Sequence, residues 1–227
     1  MDKAIEPVSM LGLTKRFAEM YCQALDHNIA KSDSGEGATR FISVRFGNVL
    51  ASNGSVVPKF KSQIEAGGPV TVTHPDMVRF FMTIREACDL VLTAASHAQR
   101  MATRDVSVYV LNMGQPVKIA DLADRLIRLS GFVPGEDIEV VFTGMRPGER
   151  LHEILFANEE PPTEIGVDGV MAAKPNEPPM ATLQEWIGEL RAAVDKRDNM
   201  RVRSILKGAV PEFKGEGLAV QEKAAAR

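Results

Sequence analysis

Between residues 9 and 25, Leu11, Phe17, Met20, Tyr21 and Ala24 recur at three- and four-residue intervals, the period of a helix with one buried face. Pro7 and Ser9 suit the start of that helix. A polar, glycine-containing loop over 31–39 gives way to Phe41-Ile42-Ser43-Val44-Arg45-Phe46, a β-rich run that ends at Gly47-Asn48 and predicts a strand leading into a loop. Residues 56–66 read as a helix stopped by Gly67-Gly68-Pro69, and Val70-Thr71-Val72 as a short strand before the turn His74-Pro75-Asp76. A helix is expected over 83–96, because Thr83 and Glu86 have the spacing of a capping box.

Residues 106–111 alternate like a strand, Gly114 breaks the run, and Ile119, Leu122, Ala123, Leu126, Ile127 and Leu129 predict an amphipathic helix over 119–130 closed by Gly131. A strand over 138–142 leads into the loop 144–149, and 151–156 is expected to form a short helix. Residues 159–179, rich in Pro, Glu and Gly, read as an irregular connection. A further helix over 182–194 carries Trp186 and Leu190 on its apolar face, and the small, polar stretch 214–227 is expected to be a mobile tail. Strand and helix alternate throughout, which argues an α/β fold.

Composition narrows the partners. The 227 residues, 44% of them hydrophobic, leave room for one sizeable core or two small ones. With 27 basic against 30 acidic residues and a net charge of −3, there is no basic excess of the kind that nucleic acid or an anionic membrane surface requires. An anionic ligand must then be held by a local site. No apolar run approaches the length of a membrane span, and the start of the chain has no charged-then-apolar leader pattern, so neither spanning nor secretion is expected. Cys22 and Cys88 both fall on apolar helix faces, where buried, reduced thiols suit a cytoplasmic protein better than a disulfide or a metal site does.

Three places carry candidate chemistry. Asp2-Lys3 stands just before the first helix and Lys15 inside it, one turn beyond Leu11; lysines on helix faces are most often simply solvated. Arg45-Phe46-Gly47-Asn48 lies at the C-terminal end of a strand, where open α/β sheets bind ligands, although many such loops are plain turns. Arg146-Pro147-Gly148-Glu149 joins a forked cation to a carboxylate across a rigid turn. An arginine fork matches phosphate oxygens and a carboxylate accepts ribose hydroxyls, so the four residues either hold a nucleotide diphosphate or form an Arg–Glu pair that stabilises the turn. His74 has no histidine or cysteine at ligand spacing, so no metal site is expected.

At these residues the chain resembles the bacterial polysaccharide-biosynthesis family of UDP-N-acetylglucosamine 4,6-dehydratases, which are extended short-chain dehydrogenases/reductases of the NAD-dependent epimerase/dehydratase superfamily. The matching stretches are MDKAIEPVSMLGLTKRFAE, VRFGNVLASNGSVVPKF, GGPVTVTHPDMVRFFMTIREA and VLNMGQPVKIADLADRLIRLSGFVPGEDIEVVFTGMRPGERLHEIL, which together reach from Asp2 to about Phe156. The resemblance implies the C-terminal portion of a Rossmann-type fold with a small sugar-nucleotide-binding subdomain over 1–158. A linker over 159–180, a helical segment over 181–213 and the tail follow. It also implies a reaction on a bound NAD or NADP: hydride leaves the hexose C4, water is eliminated across C5 and C6, and the hydride returns to C6. In that scheme Asp2 is the acid for the C6 hydroxyl, Lys3 the candidate C5 base, and Lys15 the contact to the nicotinamide ribose that also helps remove the C4 hydroxyl proton. Arg45 and Gly47 stand at the cofactor, and Asn48, Val57, Arg79, Arg146 and Glu149 hold the UDP-sugar.

Two departures set the expectation for this chain. The superfamily's tyrosine should stand four residues before Lys15, where Leu11 has no proton to exchange. No glycine-rich strand-turn-helix of the type that wraps a cofactor pyrophosphate occurs in the 227 residues. The chain is therefore expected to be the sugar-nucleotide part of a dehydratase without its cofactor half, and not to retain NAD alone. A homo-oligomer or a second polypeptide would complete it, at the inner membrane face if the native protein is longer. The competing expectations are a catalytically inactive UDP-sugar- or partner-binding remnant and a nucleotide-sugar epimerase.

Overall fold

The computed structural model describes residues 2–32, 39–52, 54–101, 103–157 and 160–215, so most of the loop expected over 31–39 and nearly all of the expected tail lie outside the described residues. After a 3-10 turn at Asp2–Ala4 come α1 (Met10–Ser32), β1 (Ser43–Arg45), β2 (Asn48–Val49), α2 (Val56–Glu65) and β3 (Val70–Val72). The chain continues through β4 (Val78–Arg79), β5 (Phe81–Met82), α3 (Ile84–Arg100), β6 (Val108–Leu111), β7 (Val117–Lys118) and α4 (Ile119–Leu129). It ends with β8 (Val140–Phe142), β9 (Thr163–Val167), β10 (Val170–Ala173), α5 (Met180–Asp195) and α6 (Asn199–Ala209). These form two compact units: unit 1 is Met1–Arg45, Val91–Leu111 and Ile154–Arg227, and unit 2 is Phe46–Leu90 and Asn112–Glu153.

Unit 1 is built on a four-stranded sheet in the order β1-β6-β10-β9. β1 runs parallel to β6, with Ser43 opposite Val108 and Arg45 opposite Val110, and β10 runs antiparallel to both β6 and β9. All four residues of β6 are buried, as the uninterrupted apolar run Val-Tyr-Val-Leu requires of a strand covered on both faces. In a second cluster, Leu13, Phe17, Met20 and Ala24 of α1 pack with Leu183 of α5 and with Leu206 and Ala209 of α6. Of the residues whose spacing predicted the first helix, Phe17, Met20, Tyr21 and Ala24 lie on its packing face, whereas Leu11 is exposed.

Unit 2 holds a separate core in which Phe60 and Ile64 of α2, Val70 and Val72 of β3, and Ile119, Ala123 and Ile127 of α4 come together with Met77 and Ile138. β3 pairs in parallel with β8, β2 in parallel with β5, and β4 antiparallel with β7. Gln63 binds α2 to β3 twice, donating from Nε2 to Thr71 Oγ1 at 2.8 Å and accepting from Thr71 N at 3.1 Å. The capping box at α3 forms as its spacing predicts: Glu86 N donates to Thr83 Oγ1 at 3.2 Å and Thr83 N donates to Glu86 Oε2 at 2.7 Å. Those bonds hold the Glu86 carboxyl below its ordinary range. Gly131 closes α4 at φ +86°, with its own N–H on Arg128 O and that of Phe132 on Ile127 O, the two bonds of a Schellman motif.

Four expectations are corrected. First, α1 continues to Ser32 instead of ending near residue 25. The polar residues there are held by tertiary partners: the fully buried Asp26 accepts from Arg40 Nε at 3.1 Å, Arg104 Nη1 at 2.8 Å and Phe41 N at 2.8 Å, and His27 binds Glu177 and, at 2.9 Å, Arg104 O. Second, residues 151–156 are not helical. The carbonyls a helix would use are taken, since Leu151 O accepts from Val78 N at 3.0 Å and Arg150 O from Arg79 Nη2 at 2.8 Å. Third, the segment expected to be irregular contains the hairpin β9–β10, turning at Asp168-Gly169 with Gly169 at φ +74°. Fourth, Cys88 is exposed and Cys22 only half-buried, so neither is a core thiol.

Candidate functional site

In unit 1 the 3-10 turn carrying Asp2 and Lys3 lies directly against α1. A Cβ at Gly12 would stand 2.4 Å from Lys3 O and 2.8 Å from Pro7 Cβ, so the close approach of turn and helix depends on glycine at that position. Of Asp2 only the backbone is described; Lys3 is exposed. Lys15 is half-buried, one turn beyond the 52% exposed Leu11. It lines a cavity of about 260 Å³ together with Ala4, Ala18, Glu19, Cys22, Ser43 and Val44. Burial pushes the Cys22 thiol up, away from the thiolate, even though Ser43 donates to it. A cation beside small side chains fits the ribose end of a nicotinamide dinucleotide, whereas the described residues of unit 1 contain no glycine-rich helix start for its pyrophosphate.

The cofactor contact expected at Arg45 meets a guanidinium that is already occupied. Arg45 is 1% exposed; its Nε and Nη2 donate to Glu19 Oε2 and Oε1 at 2.8 and 2.6 Å, and its Nη1 donates to Glu160 Oε2 at 2.5 Å. Arg16 extends the network, donating to Glu19 Oε1 at 2.9 Å, Glu212 Oε1 at 2.9 Å and Asn176 O at 2.8 Å. Burial drives the Glu19 carboxyl up, but the hydrogen bonds and charge of Arg45 and the charge of Arg16 outweigh it and hold Glu19 below the ordinary carboxylate range. Burial likewise opposes the charge on Arg45, and Glu19 and Glu160 more than restore it. Glu19, three residues after Arg16 on α1, was not singled out from the sequence; the only trace of it there is that spacing.

Unit 2 gathers Asn48, Arg79 and Glu149. Arg79 donates to the carbonyls of Val78, Leu151 and Arg150 at 2.7, 3.2 and 2.8 Å, and lies 3.7 Å from Glu149 Oε1 and 3.6 Å from Glu153 Oε1. Glu149 closes its turn through the backbone: Arg146 N donates to Glu149 Oε2 at 3.1 Å and Glu149 N to Arg146 O at 3.0 Å. The side chain of Arg146 is exposed, and the described residues give its guanidinium no carboxylate. Of the two readings left open for this turn, the Arg–Glu side-chain pair is not formed. Gly47 is required by packing, because a Cβ there would stand 2.6 Å from Met113 Cε and 3.1 Å from Glu153 Oε2. Val57 sits half-buried in the first turn of α2. Glu153, which accepts from both Asn48 and Phe80 N, was missed, and its only signal was its place in the stretch ERLHEIL.

The fold is that of part of a Rossmann-type extended short-chain dehydrogenase/reductase. A solved structure, that of Pen from Bacillus thuringiensis, aligns with a TM-score of 0.62 at 31% identity, over 78% of this chain and 51% of that one. The family model described as "Polysaccharide biosynthesis protein" matches residues 1–175, and the chain belongs to that family. It is 54% identical over 165 residues to the capsular polysaccharide biosynthesis protein CapD of Staphylococcus aureus, covering 72% of this chain. To the probable polysaccharide biosynthesis protein EpsC of Bacillus subtilis it is 51% identical over 159 residues, covering 70% of this chain. The chain spans about a quarter of the length of these relatives, 25% and 24%. Among the described residues no helix is long and apolar enough to cross a membrane, and no cluster of three or more histidine, cysteine or carboxylate side chains could hold a metal ion.

Proposed function

We propose that the chain is the sugar-nucleotide-handling part of a UDP-N-acetylhexosamine 4,6-dehydratase, a lyase that makes a 4-keto-6-deoxy sugar nucleotide for polysaccharide. The observation that carries this reading is the turn in unit 2, where Glu149 binds the backbone of Arg146 and leaves its guanidinium unpaired at the surface. A guanidinium presented in that way suits a diphosphate, with Glu149 near enough to accept from ribose hydroxyls. Asn48, Val57 and Arg79 belong to the same ligand in this reading, though Arg79 acts through the backbone it organises.

In unit 1, Lys15 would hold the ribose hydroxyl of NAD or NADP and assist removal of the C4 hydroxyl proton, while Arg45, taken up by Glu19 and Glu160, would shape the strand end without touching the cofactor. The cofactor, when bound, would accept the C4 hydride and return it to C6 after the elimination. The ketone then acidifies the C5 proton, which Lys3 would take while Asp2 protonates the departing C6 hydroxyl. Lys3 is exposed here, so this role needs the substrate or further polypeptide to enclose it. That polypeptide is either a longer version of this chain, a second copy or a separate subunit.

One observation favours a second reading, a non-catalytic UDP-sugar-binding module: Leu11 stands where the superfamily's tyrosine belongs, and it faces outward at 52% exposure. The two readings separate in a single assay. The chain is incubated with UDP-N-acetylglucosamine and NAD, alone and fused to the upstream part of a relative such as CapD, and products are weighed by mass spectrometry. The dehydratase reading expects loss of one water from the substrate with the fusion and none with the chain alone, and expects Lys15→Ala to abolish it. A fusion that binds NAD yet leaves the substrate untouched supports the binding module; a new isomer of unchanged mass means an epimerase.

A further inference from the structure

Lys15 and Glu19 lie one helical turn apart on α1 and line the same cavity, where Lys15 is the one cation and Glu19 the one carboxylate. A lysine and a glutamate at that spacing are neighbours on a helix surface and attract each other. Here the pair is not formed: among the described residues Lys15 has no carboxylate within ion-pair distance.

Glu19 is engaged elsewhere on both oxygens. Its Oε1 accepts from Arg45 Nη2 at 2.6 Å and from Arg16 Nη1 at 2.9 Å, and its Oε2 accepts from Arg45 Nε at 2.8 Å. The arginines are fixed in turn. Arg45 reaches Glu160 Oε2 with Nη1 at 2.5 Å, while Arg16 reaches Glu212 Oε1 and Asn176 O at 2.9 and 2.8 Å. A guanidinium fork seated on a carboxylate makes two charge-assisted bonds in a fixed geometry, where a flexible ammonium makes one. With side chains 1% and 5% exposed, Arg45 and Glu19 also meet beyond the reach of screening by salt. The fork therefore wins Glu19 over the half-buried lysine.

We infer that Arg45 is a positioning residue for Lys15: its fork keeps Glu19 off the ammonium, which is left for the hydroxyl groups of a ligand in the cavity. This rests on reading the cavity as the ribose end of the cofactor site. Arg45 acts there without touching the ligand. Among the described residues its Nε is the one donor on Glu19 Oε2, so that oxygen is released when Arg45 is removed, while Oε1 stays on Arg16.

NMR of the side-chain ammonium groups in the full chain tests this through their exchange with water. Glu19→Met is expected to leave the Lys15 exchange rate within about twofold of wild type; a rise of about tenfold means that the two already pair and overturns the inference. That comparison needs no Arg45 variant and decides even where Arg45→Met fails to fold. In Arg45→Met the freed Oε2 stands one turn from Lys15, and exchange is expected to slow by about tenfold, the protection of roughly one charge-assisted hydrogen bond. A rate equal to wild type in the folded variant overturns the inference. Arg45→Met combined with Glu19→Met removes the capturing carboxylate and is expected to restore the wild-type rate. A merely structural role for Arg45 would instead loosen α1 and speed exchange in both variants. Nicotinamide mononucleotide, titrated into the same samples, ties the pair to the ligand: the concentration that half-shifts the Lys15 signal should be about tenfold higher in Arg45→Met and recover in the double variant. Equal midpoints overturn the inference. A wild-type signal that nicotinamide mononucleotide leaves in place, beside slowed exchange in Arg45→Met, retires the ribose reading and leaves the hold on Glu19 standing.

Discussion

Arg45 in unit 1 and Arg146 in unit 2 are the same side chain under opposite conditions. Arg45 is 1% exposed with all three guanidinium nitrogens on the carboxylates of Glu19 and Glu160, whereas Arg146 lies at the surface beside a glutamate that binds only its backbone. Both stand in motifs that a sequence reading assigns to ligands. What separates them is which carboxylates the fold brings within reach: a buried cation must be paired, so its partners claim it, while an exposed one stays free for solvent or a ligand. A positively charged residue at a strand end is therefore weak evidence for a binding site until its partners are known.

The sharpest way to break the comparison is Arg45→Met. Removing the cation leaves Glu160 without its cation and Glu19 with Arg16 alone, which costs about 3–5 kcal/mol of folding free energy. Urea denaturation should show that loss; a loss below about 1 kcal/mol would mean that the network is not structural. Arg146→Ala should do the reverse, weakening UDP binding by about tenfold or more in calorimetry while shifting stability by no more than about 0.5 kcal/mol. Equal UDP affinity for the two proteins would put Arg146 beside Arg45 as scaffold.

The smallest effects are in pH, and their signs differ within unit 1. Glu19 is held below its ordinary 4.5, so its contribution is present above that value and is lost as the pH falls through the lower folded value. His27 runs the other way: burial lowers it, but the hydrogen bond to Glu177, Arg104 O and the nearby carboxylates raise it above 6.5. Its contribution is full below 6.5 and is lost as the pH rises through the folded value. Urea midpoints measured across pH should fall at both ends, and His27→Asn should remove the alkaline slope only. A slope that survives in the variant assigns it to another group.

Much of the architecture could be read from the chain alone, because helix periodicity and caps are local. The packing face of α1, the Thr83–Glu86 box and the Gly131 closure all follow from spacing over a few residues, and the structure forms each one. The β9–β10 hairpin left only the turn pair Asp168-Gly169 as a signal, because β9 itself, Thr-Glu-Ile-Gly-Val, is not an apolar run and prolines and glutamates surround it. Residues 151–156 were not legible: their pattern suits a helix, and only the distant β4 and Arg79 show that their carbonyls are taken. The candidate site divides along the same line. The sequence by itself determined the turn 146–149 and the place of Lys15, one helical turn after Leu11. Only the tertiary structure decided that Arg45 is locked by Glu19 and Glu160 and that Glu153 binds Asn48, because those partners lie 26, 115 and 105 residues apart in the chain and nothing short of folding brings them together.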